Sequence, residues 1–135
     1  MRDSDPTSTE PTPLSDLSAP EPVDARLTVD LVFDDGTVIV SPVGELDYDS
    51  VHVLRGRLRE ALDRSAERVV VDCRGIAFCD STGLNLLLTT RLEALRAQRT
   101  LVLARVASPM ARLLELTGTD AVFDIRPDLT APAAC

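Results

Sequence analysis

The run Val69-Val70-Val71 is the most constraining stretch of this sequence. Consecutive β-branched residues with no polar alternation suit a strand covered on both faces, as in a parallel sheet flanked by helices. The segments on either side agree. Before it, Val51, Leu54, Leu58, Ala61 and Leu62 recur at helical spacing, with Arg55, Arg57, Arg59 and Glu60 on other faces. After it, Leu84, Leu87, Leu88, Leu92 and Leu95 predict a second amphipathic helix with that stripe turned inward. Thr100 to Val106 then reads as another buried strand.

The flanks complete the pattern. Leu27, Val29, Leu31 and Phe33 alternate with Thr28 and Asp30, the period of a strand with one wet face. Asp34-Asp35-Gly36 supplies turn residues, and Thr37 to Val43 resumes as strand, which predicts a hairpin. Pro42 has no amide to donate, so it is expected at a bulge, an edge or the exit of that second strand. Further on, Ser108-Pro109 predicts a helix start with Ser108 as N-cap, Met110, Leu113 and Leu114 its apolar side, and Gly118 its C-cap. Ala121 to Ile125 predicts a last short strand. The whole is an α/β single domain: a mixed sheet of about five strands with amphipathic helices packed against it.

Residues 1–24 differ in kind. They hold Pro6, Pro11, Pro13, Pro20 and Pro22, and six acids against one arginine, so they contribute −5 of the net −8. So few apolar side chains cannot offset the entropy of ordering the segment, and a disordered acidic, proline-rich leader is expected. The domain is expected over 25–127, with a short tail over 128–135.

Charge and composition exclude several functions. A net charge of −8 disfavours nucleic acid, which needs a basic face, and an anionic membrane surface. All basic residues are arginine, so no mechanism can use a catalytic lysine. The acidic N-terminus is unlike an export signal, no apolar run is long enough to span a bilayer, and a cytoplasmic location is expected. Cys73, Cys79 and Cys135 form no metal pattern, and Cys79 reads as a buried structural thiol rather than a redox centre. The single His52 lies on the first helix without a companion ligand, so neither metal nor cofactor is expected.

The chemistry concentrates where the valine strand leads to the second helix, at Phe78-Cys79-Asp80-Ser81-Thr82-Gly83-Leu84. Asp80 is placed to N-cap that helix, with Ser81 and Thr82 in its first turn. A first-turn hydroxyl is a good position for a phosphate, because free amides and the helix dipole favour negative charge there. Gly83 is unexpected at a position where glycine costs about 1 kcal/mol against alanine, and it suggests a close approach of another backbone or of a partner. On these residues alone, a plain N-cap and a modifiable site are both open.

Three motifs in order carry a resemblance: Gly44-Glu45-Leu46-Asp47 after the second strand, Asp80-Ser81-Thr82-Gly83-Leu84, and Leu113-Leu114-Glu115-Leu116-Thr117-Gly118. Together they resemble the STAS domain of bacterial anti-sigma-factor antagonists, over roughly residues 26–126. The resemblance implies a STAS-like fold and a partner-switching cycle. In such a cycle the unphosphorylated antagonist binds an anti-sigma factor that is itself a serine kinase, and so frees a sigma factor. The kinase phosphorylates the residue corresponding to Ser81, and a PP2C-type phosphatase restores it. By the same resemblance, Gly44, Glu45, Asp47, Asp80, Thr82 and Gly83 line the partner-binding surface.

No catalytic set competes with this reading. Cys79 stands where a Gly-x-Ser-x-Gly hydrolase needs its first glycine, and neither Cys73 nor Cys79 is followed five residues on by the arginine of a cysteine phosphatase. A phosphate-binding loop of the Gly-x-x-x-x-Gly-Lys type is impossible without lysine. The remaining alternative is a non-switching STAS module, a scaffold or subunit of a larger signalling or transport assembly.

Overall fold

The computed structural model describes residues 26–64 and 67–129. The leader expected at 1–24, most of the expected tail, and Cys135 lie outside the described residues.

The chain begins with the expected hairpin. β1 (Leu27–Asp34) and β2 (Thr37–Leu46) pair antiparallel across a tight turn in which Asp35 and Gly36 have φ of 49° and 84°. That two-residue turn fixes the register, setting Phe33 opposite Val38 and Leu27 opposite Gly44. Then follow α1 (Val51–Asp63), β3 (Arg68–Asp72), a 3-10 turn (Cys73–Gly75), β4 (Ile76–Cys79) and α2 (Ser81–Arg96). The last elements are β5 (Thr100–Ala104), α3 (Ser108–Thr117), a 3-10 turn (Thr119–Ala121) and β6 (Asp124–Arg126). The sheet runs β1-β2-β3-β5-β6, with β4 also paired to β2, and every contact except the hairpin is parallel.

Among the described residues the sheet therefore has six strands rather than about five. β4 escapes a reading by periodicity because it is four residues long and exposes both Ala77 and Phe78 between buried Ile76 and Cys79. It also takes over part of β2. The edge of β2 away from β1 pairs with β3 from Thr37 to Val40, then with β4 from Gly44 to Leu46. Pro42 sits in the interval between the two, where the missing amide breaks no ladder. The strand does not exit there; it continues to Leu46, so Gly44, Glu45 and Leu46 lie within β2 rather than after it.

The valine strand is covered on both faces, as its composition requires. Val69 and Val71 join the main core with Leu54 and Leu58 of α1, Leu87 of α2, and Met110 and Leu114 of α3. All three helices therefore share one face of the sheet. Val70 points the other way, into a smaller cluster with Val102, Ala104, Ile39 and Leu129. Each such side chain contributes about 1.5–3 kcal/mol by leaving water.

Helix faces depart from expectation in places. α2 buries Leu84 and Leu87 with Leu86, Thr90 and Ala94, whereas Leu92 and Leu95 are 47% and 48% exposed. The inward face is rotated from the expected leucine stripe and includes Gly83, where a Cβ would meet Leu46 and Cys79. α3 starts one residue earlier in capping terms: Ala107 is the N-cap, without a side-chain hydrogen bond, and Ser108 is already helical. Ala121 belongs to a 3-10 turn and the final strand is shifted to Asp124–Arg126. β5 stops at Ala104 because Arg105 turns to φ 54°.

That turn has a purpose. Arg105 forks onto Asp72 at the end of the neighbouring β3, with Nε 3.1 Å from Oδ1 and Nη2 2.6 Å from Oδ2. Burial alone would raise the Asp72 carboxyl, but hydrogen bonds from Arg105 and from the Arg74 amide outweigh it and hold the group below its usual value. The edge strand is guarded too: Arg57 of α1 donates to the carbonyl of Val29 in β1 at 3.2 Å.

Candidate functional site

Asp80 caps α2 as expected. Its backbone is extended at φ −102° and ψ −174°, and Oδ1 accepts from the amides of Thr82 at 2.9 Å and Gly83 at 3.1 Å. Its carbonyl accepts the Leu84 amide at 3.0 Å and so starts the helical ladder. Ser81 follows as the first helical residue, exposed, while Thr82 is half-buried. Of these two adjacent hydroxyl residues, Ser81 is the more exposed.

One expectation changes here. The first-turn amides are not all free for a phosphate, because the Asp80 carboxylate already occupies those of Thr82 and Gly83. A phosphate on Ser81 would stand beside that carboxylate with two of its natural donors taken. Negative charge added there meets the Asp80 carboxylate.

Gly83 is buried, and the reason is internal. A Cβ on it would lie 2.6 Å from Cγ of Leu46 and 3.1 Å from Sγ of Cys79. The close approach inferred from sequence is therefore to the chain's own β2 and β4, and Gly83 seats the helix rather than presenting a surface. Cys79 fills the same contact. Burial and the neighbouring Asp80 charge push its thiol up to about 12, and burial with the Asp72 charge does the same for Cys73.

The second motif forms the adjoining loop. Gly44 has φ of 127°, and a Cβ there would fall 2.0 Å from the carbonyl oxygen of Arg26. Only glycine fits this bulge. It lets the Glu45 amide reach the same carbonyl at 2.8 Å. Asp47 is buried and organises the turn that follows: Oδ1 accepts from the amides of Asp49 at 3.0 Å and Ser50 at 3.1 Å. The Ser50 hydroxyl donates to the Glu45 carbonyl at 2.6 Å, closing the loop on itself. Although Ser50 precedes α1, its side chain serves this loop and caps no helix amide.

Arg26 binds the loop from outside. Its guanidinium contacts Glu45 at 3.1 Å and Asp49 at 3.2 Å, and also Asp47. The hydrogen bond to Glu45 and the charge of Asp47 hold this guanidinium even more firmly protonated than usual. Sequence reasoning passed over Arg26, Asp49 and Ser50. A signal for Arg26 existed, since the Asp35-Gly36 turn sets Leu27 opposite Gly44 and hence Arg26 beside Glu45.

The two motifs meet at strand ends. Leu46 of β2 pairs with Cys79 of β4, and the Asp80 amide donates to the Leu46 carbonyl at 3.1 Å. Gly44, Glu45, Asp47, Asp80, Thr82, Gly83 and Ser81 are thereby gathered at one edge of the domain. Among them Glu45 and Ser81 are exposed, Gly44, Asp80 and Thr82 are intermediate, and Asp47 and Gly83 are interior. His52 is exposed on α1, and among the described residues no group of acids, histidines and cysteines is arranged to hold a metal. No described helix is long and apolar enough to cross a membrane. A cleft of roughly 160 Å³ between α1 and α2, lined by Arg55, Arg59, Thr89 and Glu93 among others, contains no residue of either motif.

The chain is similar to known proteins over most of its length. The family model described as "Mlab, STAS domain" matches residues 19–127. An anti-sigma F factor antagonist of Paenibacillus polymyxa is 28% identical over 103 residues, covering 76% of this chain and 86% of that protein. The anti-sigma-B factor antagonist of Bacillus subtilis is 26% identical over 100 residues, covering 74% and 91%. Among solved structures, an anti-sigma factor antagonist from Mycobacterium paratuberculosis superposes with a TM-score of 0.71 at 26% identity, covering 79% of this chain and 91% of that one.

Proposed function

This chain belongs to the STAS domain family, and from that premise we propose that it is an anti-sigma-factor antagonist whose partner switch is Ser81. In this reading the unmodified chain binds an anti-sigma factor that is also a serine kinase, freeing a sigma factor in the cytoplasm. Phosphorylation of Ser81 ends the complex, and a PP2C-type phosphatase renews it.

The observation that carries the reading is the state of Ser81: exposed in the first turn of α2, beside an Asp80 carboxylate that has taken the Thr82 and Gly83 amides. Phosphorylation adds about −1.5 to −2 charges. With those donors occupied, the phosphate must be desolvated on binding without an internal counter-group, which is costly unless the partner supplies a cation. A surface that accepts the hydroxyl form is thus expelled by the phosphate form, with no change of fold required. Glu45 and the Asp47 loop, joined to Asp80 through Leu46, supply the rim of the same surface.

The test is direct. Candidate anti-sigma kinases from the same genome are incubated with this chain and ATP, and the phosphopeptide is mapped by mass spectrometry. One phosphate on Ser81 is expected; modification of Thr82 alone, or none by any candidate, rejects the reading.

A further inference from the structure

We propose that Tyr48 is the principal apolar anchor with which this chain grips the protein bound at Ser81. The inference rests on the partner-binding reading above and adds to it a residue that neither motif contains. Tyr48 is 77% exposed, more than any other large apolar side chain among the described residues. The chain has only four aromatic residues, and the other three are less exposed than Tyr48. Phe123 is buried in the core, Phe33 lies under the Arg64 guanidinium at 4.7 Å, and Phe78 is half covered on β4. Tyr48 has no hydrogen bond or ring contact among the described residues.

Exposure alone would mean little, since single apolar side chains are common on surfaces. What distinguishes Tyr48 is the rigidity beneath it. The residues on either side, Asp47 and Asp49, are both held by Arg26, and the Asp47 carboxylate fixes the amides of Asp49 and Ser50. The Ser50 hydroxyl ties the turn back to Glu45. A tyrosine on such a base has only two side-chain torsions left to order, so little conformational entropy opposes its docking. Interfaces draw most of their affinity from a few aromatic anchors of this kind.

Position selects the occupant. The loop continues from Leu46, which pairs with Cys79 and accepts the Asp80 amide, so Tyr48 and Ser81 each stand two residues beyond one of two paired strand ends. The occupant is the anti-sigma kinase engaged at Ser81. Its matching feature is an apolar pocket that takes the ring, with a mouth polar enough for the phenol oxygen.

Full-length Tyr48→Ala, Tyr48→Phe and Ser81→Asp proteins, with the wild type, are titrated calorimetrically against the kinase that labels Ser81 in the experiment above. Tyr48→Ala is expected to bind at least about tenfold more weakly, with Tyr48→Phe within about threefold of wild type. In the phosphorylation assay Tyr48→Ala should raise KM with kcat unchanged, the signature of an interaction made equally in ground and transition states. If its thermal midpoint shifts, Tyr48→Gln takes its place in both assays. A loss below tenfold in a wild-type-binding system overturns the anchor and leaves the Ser81 switch standing. An equal loss in Tyr48→Phe overturns it in favour of a hydroxyl contact. Absence of wild-type binding to any kinase overturns the underlying reading as well.

Discussion

The amide of Asp80 donates to the carbonyl of Leu46 at 3.1 Å, and this one bond fastens the cap of the serine helix to the strand that carries the Glu45–Asp47 loop. Two sequence motifs more than thirty residues apart become one surface through it. The side chain of Asp80 faces its own helix while its backbone faces β2. A single residue therefore sets both the helix start and its distance from the loop.

The switch should respond to charge at Ser81 and not to loss of the hydroxyl. Ser81→Ala is expected to bind the anti-sigma partner within about threefold of the unmodified protein, and Ser81→Asp at least about tenfold more weakly. Isothermal titration separates them. Equal affinities would sink a charge-based switch and favour a passive scaffold.

Gly83→Ala sets two magnitudes against each other. Helix propensity favours alanine by about 1 kcal/mol. The added methyl, however, collides with Leu46 and Cys79, and overpacking of this kind costs about 1–3 kcal/mol. The expected outcome is net destabilisation of about 1 kcal/mol in urea unfolding, together with displacement of Ser81. A more stable variant would contradict the packing described.

Asp80→Ala removes the acceptor for the Thr82 and Gly83 amides and should cost about 1 kcal/mol, whereas Asp80→Asn should lose much less. Chemical denaturation of the three proteins in parallel is sufficient. Similar losses for both substitutions would mean that charge, rather than the amide bonds, carries the contribution.

The Arg105–Asp72 fork predicts a pH signature. Asp72 titrates below its ordinary 3.8 in the fold, so its stabilisation is present above that value and is lost as pH falls through the folded pKa. Arg105→Ala should lower stability at neutral pH, and only modestly because the Arg105 side chain is 32% exposed. The unfolding curves of the two proteins should draw together as pH falls below 3.8 and converge once it has passed the folded pKa of Asp72. A gap that persists undiminished in acid argues against the ion pair.

The fold was largely legible in the sequence because its strongest signals are local. Val69-Val70-Val71 requires two covers, and Asp35-Gly36 dictates both a hairpin and its register. β4 was not legible, because four residues paired in parallel to a distant strand have no period of their own. The stripe on α2 was misread at Leu92 and Leu95 since helical spacing gives a face, and tertiary packing at Gly83, Leu86, Thr90 and Ala94 decides which way it turns. At the site, Asp80 as N-cap was visible from residue type. That its carboxylate consumes the Thr82 and Gly83 amides, and that Arg26 fastens the opposite loop, depends on tertiary distances that no spacing encodes.

The division of β2 at Pro42 also bears on how such a domain can change over time. On its edge away from β1, the strand pairs with β3 upstream of that proline and with β4 downstream of it. Residues 44–50 and 76–84 form a module hung on the lower half of one strand. Leu46, Ile76, Cys79 and Leu84 of that module are bound into the hydrophobic interior, whereas Glu45, Tyr48, Asp49 and Ser81 face outward, so its outer positions can vary while the interior stays as inherited.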